Sequence, residues 1–293
     1  MPTPMMTLAP ASPLTERLHA LYHDASKHSV YQSVPAFMAR ALGYQEEIHS
    51  LWRSDTPRYR FIADRLKLSP GDHVVDIGAN TGFFSLNLAH DHPDIRLTAF
   101  EMNPRHAEYI GLAAERFGLD RLQVRSQSCD LAGLSALPEC DTVFLLNVLH
   151  HAGFDFDGHV ADNNAAFTRH AGDYLTRLRG RAGQLVFQIG SNRGGDKTRP
   201  VHPRDDDRAR LAWTAGLLHD AGWKIEHLGY AQLDEAGAVV FRDVPPAVLA
   251  AARANATEIE EVTEFLADAD LARFPGEFHR RPLVIATAAT QRS

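Results

Sequence analysis

After Pro70-Gly71 the chain settles into a rhythm that few architectures satisfy. The short apolar runs "HVVDIG", "IRLTAFE", "LQVRSQS", "DTVFLLN" and "QLVFQIG" follow one another at helix-length intervals. Continuous runs of Val, Ile, Leu and Phe suit strands buried on both faces. Strands separated by helices are parallel, because a parallel pair needs a long crossover. The pattern predicts an α/β fold with helices on both sides of the sheet. The spacers carry matching helix signals. Asn103 can cap a helix whose first position is Pro104, and Phe167, Ala171, Tyr174, Leu175 and Leu178 make one apolar stripe before Gly180.

Upstream of this region the period is helical. Leu18, Leu21 and Tyr22 share a face, then Val34, Phe37, Met38 and Leu42, then Ile48, Leu51 and Trp52, with Pro35 and Gly43 as punctuation. The first dozen residues, rich in Pro, Ala and Thr, read as a loose tail, with structure beginning near Leu14. At 293 residues and 44% hydrophobic composition, the chain can bury one substantial core. A formal charge of −7 and no Lys/Arg block exclude the broad electropositive face of a general nucleic-acid binder, while a local basic groove stays open. Cys129 and Cys140, both beside expected strands, are too few for a disulfide scaffold and are expected as reduced core residues. No basic leader with an apolar run opens the sequence, and no apolar stretch reaches the roughly 18 residues of a membrane span. The expectation is a soluble cytoplasmic protein.

Function concentrates at "VVDIGANTGFFSL", Val74 to Leu86. Ligands of parallel α/β sheets bind outside the carboxyl ends of the strands, where this turn lies. Gly78 and Gly82 let backbone approach a ligand, and the following helix offers free N–H groups. The spacing reads G-A-N-T-G rather than G-x-G-x-x-G, which argues against a nicotinamide or flavin site. Asp76 ends the first strand and Glu101, 25 positions later, ends the second, where a carboxylate can accept both hydroxyls of a ribose. Asp130 follows the third and could face an adenine amine, though "DLAG" also reads as an ordinary turn. Three acids at three strand ends suit an adenosine ligand without phosphates, which they would repel.

With these pieces in place, the sequence resembles the class I S-adenosylmethionine-dependent methyltransferases, from roughly Arg58 to Ala289. The matching segments are "VVDIGANTG", Glu101 with Met102 beside it, "CDL" around Asp130, "CDTVFLLNVLHH", "LLHDAGWKIEHL" and "RRPLVIATA". The resemblance implies a Rossmann-like three-layer sandwich with a mostly parallel seven-stranded sheet, and S-adenosyl-L-methionine as cofactor. It sets Asp76, Gly78, Asn80 and Gly82 around the methionine part, Asn80 standing where glycine is commoner. The chain then divides into a flexible tail (1–13), an N-terminal helical lid (14–57) and the cofactor-binding domain (58–293), with a helical insertion around 245–275.

Chemistry is expected at "LLNVLHH", since the fourth strand of that fold ends beside the reactive methyl. His150 or His151 could take a proton from a hydroxyl, phenol or amine acceptor, and Asn147 could orient the acceptor or the cofactor's amino group. The bland alternative has one histidine capping the strand through backbone and the other facing solvent. Adjacent histidines point apart on a strand and no ligand cluster surrounds them, so no metal is expected. His28, Tyr31, Gln32, Trp52 and Arg58 are the candidate substrate-facing lid residues; the long loop 191–210 and the insertion are further candidates for shaping the pocket. The leading expectation is methyl transfer to a small molecule, as in secondary metabolism. Two others stand beside it: an intramolecular cyclase acting on the cofactor, of the azetidine-2-carboxylate synthase type, and tRNA alkylation, disfavoured by the net charge. The oligomeric state is left open.

Overall fold

The apolar runs become strands because their side chains have no polar face to present. All five residues of β1, His73–Ile77, are buried. β2 (Arg96–Phe100) and β4 (Cys140–Leu146) pair with it in parallel, β3 (Leu122–Arg125) pairs in parallel with β2, and β5 (Ala182–Gln188) pairs in parallel with β4. The computed structural model describes residues 13–22, 32–44, 55–160, 162–202, 206–274 and 276–289. Of the expected tail 1–13, Pro13 begins a helix and the rest lies outside the described residues, as do His28, Tyr31, Ile48, Leu51 and Trp52 of the helical preface.

The sheet order is β3-β2-β1-β4-β5-β8-β6-β7, with β6 at Trp223–Leu233, β7 at Val239–Asp243 and β8 at Leu283–Ala288. β8 runs antiparallel between β5 and β6, and β7 runs antiparallel on the outer side of β6. The sheet thus has eight strands, one more than the expected seven. The extra one, β7, is a hairpin partner of β6. Its turn is built by Asp234, whose Oδ1 accepts from the backbone N–H groups of Ala236 and Ala238, and by Gly237 at φ 78°. "VVFRD" is too short a run before Pro245-Pro246 to announce itself.

Strand order runs one way from β1 to β3 and the other way from β4 to β5. Right-handed crossovers then put α4 (Phe83–Asp91) and α5 (Pro104–Phe117) on one face, and α6 (Asn164–Arg179) and α7 (Asp207–Asp220) on the other. α1 (Pro13–Tyr22) packs on α5, and α3 (Asp55–Ala63) packs on α4 and β7. α2 (Ala36–Leu42) ends in a left-handed Gly43. Between β7 and β8 come α8 (Pro246–Arg253) and α9 (Glu260–Ala269), which pack beside α7. Caps form where sequence places them: Asn103 Oδ1 accepts from Arg105 N–H at 3.0 Å, Asn163 caps α6 and Asp206 caps α7.

The core is the sheet interior and its helix contacts. Leu185, Val186 and Phe187 on β5 are fully buried, as are Phe144, Phe167 and Tyr174 around them. Both cysteines are free thiols. Leu185→Ala should lower unfolding free energy by about 2–5 kcal/mol. Urea titration checks this, and the denaturant slope should be unchanged because the same surface unfolds.

Candidate functional site

The order of the sheet reverses between β1 and β4, and the crevice there is the place where their carboxyl ends can hold a ligand. The turn after β1 is held by backbone: Gly78 and Ala79 N–H both donate to Phe100 C=O, at 2.8 and 3.0 Å. Gly78, Asn80 and Gly82 all have positive φ, at 70, 56 and 77°. A Cβ at Gly78 would collide with the Val148 side chain, and one at Gly82 would lie 2.8 Å from Ile110 Cγ1. Asn80 takes the left-handed position because its short amide bonds locally: its Oδ1 accepts from Thr81 N–H at 2.7 Å.

Glu101 ties this turn to the next strand. Its Oε2 accepts from Asn80 N–H and its Oε1 from Asn103 N–H, both at 2.7 Å. Met102 N–H is a third backbone donor to this carboxylate. Burial raises the Glu101 carboxyl to about 7, against the lowering effect of those N–H donors, and the Asp76 charge raises it further. Met102 beside it is half exposed.

Asp76 does not join the cavity. It is buried within β1, accepts from Ser85 Oγ of α4 at 2.5 Å, and is pushed by burial up to about 6. Asp130 spends one oxygen as a cap, accepting from Gly133 N–H at 2.6 Å in front of a 3-10 turn. Gln32 caps α4 from outside, its Oε1 accepting from Phe83 N–H at 3.0 Å.

At the end of β4 the chain turns sharply. Asn147 has φ 59°, and residues Leu149–His151 form a 3-10 turn, so the histidines are not on a strand and do not point apart. Their rings lie 4.2 Å apart. His150 is buried, and its Nδ1 accepts from Gly190 N–H at 3.3 Å. Burial, then the neighbouring His151 and Arg281, holds it well below the usual imidazole range, so it is neutral at working pH. His151 is more open, with Nδ1 2.7 Å from Asp155 Oδ2.

Asn147 is locked by its neighbours. Its Nδ2 donates to Gln188 Oε1 at 2.9 Å, and its Oδ1 accepts from Arg281 Nη1 at 2.7 Å. Gln188 Oε1 also accepts from Arg58 Nη1 at 2.8 Å, and Gln188 Nε2 donates to the Arg281 carbonyl at 3.1 Å. Arg58 is paired on its other side with Asp55, which in turn accepts from Ser33 N–H at 2.6 Å.

These groups meet in one cavity of about 500 Å³, whose wall includes Gly78, Asn80, Asn147, His150, His151 and Arg58. Gln32 also lines it, whereas Asp76, Glu101, Met102 and Asp130 lie outside its lining. Residues the sequence reading passed over are Gln188, Arg281, Lys197, Glu277 and Asp155. An amide closing the apolar run "QLVFQIG" and an arginine directly before the buried run "PLVIATA" were the available signals.

A family model described as precorrin methyltransferase domain matches residues 58–155. No curated protein matches the chain. Among solved structures, precorrin-6y C5,15-methyltransferase from Geobacter metallireducens GS-15 is 15% identical, with 78% of this chain and 86% of that chain covered and a TM-score of 0.43. The bifunctional kinase-methyltransferase WbdD is 17% identical, covering 77% of this chain and 44% of the other, at a TM-score of 0.47. Geranyl diphosphate methyltransferase in complex with GPP and sinefungin is 15% identical, covering 80% and 78%, at 0.46.

The two buried carboxyls set a pH dependence. Asp76 and Glu101 bind protons more tightly folded than unfolded, so their contribution to stability is full below about pH 4 and is lost as pH rises through about 6 and 7. Between pH 5 and 8, urea unfolding of Asp76→Asn and Glu101→Gln should each show a less negative slope of stability against pH than the parent.

Proposed function

We propose that this chain is a class I S-adenosylmethionine-dependent methyltransferase and that it acts on a small-molecule acceptor bound beside His151. The observation that carries this reading is the cavity itself, which joins the glycine turn after β1 to the histidine turn after β4 in one open pocket. A volume of about 500 Å³ falls in the range of small-ligand pockets.

The residues present fit the cofactor. Gly78 and Asn80 bring backbone at positive φ to the cavity wall, Glu101 braces that turn from β2 as a carboxylate available to ribose hydroxyls, and the turn presents no phosphate-binding lysine. When bound, S-adenosylmethionine supplies an electrophilic methyl on a positively charged sulfur. The protein's own work is then to position the acceptor, dry the cavity and take a proton. Phe84, Leu146 and Phe278 in the wall exclude water. His151 is the base, because its Nδ1 faces Asp155 and leaves Nε2 to accept the acceptor's proton. His150, neutral and committed to Gly190, shapes the wall, and Asn147 is held in a fixed orientation rather than free to swing.

The first test is to incubate the protein with S-adenosylmethionine and read products by mass spectrometry. S-adenosylhomocysteine formed only when acceptors are supplied supports the proposal. Methylthioadenosine with a cyclised amino acid, formed by the protein alone, would replace it with an enzyme consuming its own cofactor.

Binding should be proton-linked. The ribose hydroxyls favour the carboxylate of Glu101, whose carboxyl stands at about 7 in the free protein, so affinity should fall by up to about tenfold per pH unit below that value, with proton release. Calorimetry at pH 6 in buffers of different ionisation enthalpy reads this directly. Glu101→Gln should abolish the release and cost about 1.5–3 kcal/mol of binding. His151→Ala should leave cofactor affinity unchanged and lower kcat by about 10²–10⁴-fold for an acceptor that must lose a proton.

A further inference from the structure

The wall of the cavity away from the β1 turn is more cationic than methyl transfer alone requires. Arg58, Lys197 and Arg281 line it, with Glu277 as the carboxylate among the lining residues and Asp55 behind Arg58. Asp55 and Glu277 balance the two buried guanidiniums, and the third cation, Lys197, stands exposed at the rim. Arg58 is 4% exposed and Arg281 5%. Neither guanidinium is fully satisfied: the Nε of each is buried without a hydrogen-bond partner. Arg281 meets Glu277 Oε2 at 3.4 Å, and Glu277 also accepts from Asn192 Nδ2 at 3.1 Å, so that carboxylate is shared. Burial and the nearby Arg58 and Arg210 charges bring Arg281 down to about 10 despite Glu277, yet it stays charged at neutral pH.

A buried guanidinium donor left without an acceptor is costly unless something else supplies one. The cofactor itself creates a positive surplus, because its sulfonium brings a further charge to the same cavity while its ammonium and carboxylate cancel. The remaining occupant therefore has to bring the anion. A guanidinium fork matches a carboxylate in shape, and a dianion would meet Glu277 as well.

Building on the methyl-transfer reading, we propose that the acceptor is a small monocarboxylate. Its carboxylate sits against Arg281 with Lys197 at the rim, and its reacting group lies toward His151. Sheet order supports this arrangement. Arg281 leads into β8, two strands beyond β4, whereas the cofactor turn belongs to β1 on the other side of β4. The acceptor's charged end and the cofactor's adenosine end are thus recognised from opposite sides of the histidine turn.

Matched probes test this. Protein loaded with S-adenosylhomocysteine is titrated by calorimetry with 4-hydroxybenzoate, 4-hydroxyphenylacetate and indole-3-carboxylate, and with the primary amide of each. At least one acid should bind tenfold or more tighter than its amide. Arg281→Gln and Lys197→Gln should each cut that preference below threefold, with S-adenosylhomocysteine affinity within twofold of the parent. Lys197 is exposed, so its variant carries the test even if the buried Arg281 variant fails to fold. Acids that bind no better than their amides, or not at all, overturn the proposal, as does a preference that survives Lys197→Gln. Arg281→Gln weakening S-adenosylhomocysteine while sparing methylthioadenosine would give the arginine to the cofactor's own carboxylate, and also overturns it. Parent protein that binds neither nucleoside instead defeats the methyl-transfer reading, a separate result.

Discussion

One side-chain amide, that of Gln188, holds three parts of the molecule in register. It is fully buried at the end of β5, accepts from Arg58 of α3 and Asn147 after β4, and donates to the carbonyl of Arg281 before β8. Its backbone C=O accepts from Asn147 N–H at 2.7 Å. Hydrogen bonds in a low-dielectric interior are strong, but each partner lost leaves a buried donor costing about 1–3 kcal/mol. Such a network is held whole or not at all. Because it fixes Asn147 in its left-handed conformation, it also determines where the following turn presents His151.

The buried acids of the site divide the labour by what their oxygens already do. Asp76 is satisfied by Ser85 beneath the helix and acts on the strand-to-helix packing. Asp55 neutralises Arg58, which also lies over the Phe84 ring at 5.1 Å. Glu101 is different: its backbone donors, Asn80 among them, bring the turn after β1 against β2. The same burial that raises its proton affinity makes it responsive to a partner that prefers the charged form.

The α/β architecture was legible because strands buried on both faces leave an unbroken apolar run, and because Asn103-Pro104 and the Phe167 stripe obey local rules that packing did not overrule. Glycine spacing likewise announced the turn after β1, since only a few residues tolerate its dihedrals. What escaped was long-range. β7 depends on pairing with β6 rather than on its own pattern. Asp130 and Asp76 carry the residue type expected of a binding acid, but their hydrogen bonds go to Gly133 and Ser85, which no spacing rule reveals. The histidines were read on a strand because nothing local says that Asn147 takes positive φ; its partners Gln188 and Arg281 are 41 and 134 positions away.

The β6–β7 hairpin has a mechanical consequence for the walls of the cavity. Phe61 of α3 faces Phe241 of β7 with ring centroids 6.4 Å apart, and a Cβ at Gly229 on β6 would come within 2.5 Å of the Phe61 ring. Arg65 just beyond the helix reaches Asp243 at 2.9 Å, and Tyr59 donates to Asp91 of α4 at 2.7 Å. The helix that carries Arg58 is thereby bolted to the far edge of the sheet and to its neighbour on the same face. Across the cavity, the segment holding Gly194, Gly195 and Lys197 is tied down through Arg193 and Arg199 to Asp162, whose carboxylate is largely in water, and through the partly exposed Phe154. Of these two walls one rests on packed rings and the other on ion pairs within reach of water, so salt weakens the second and spares the first.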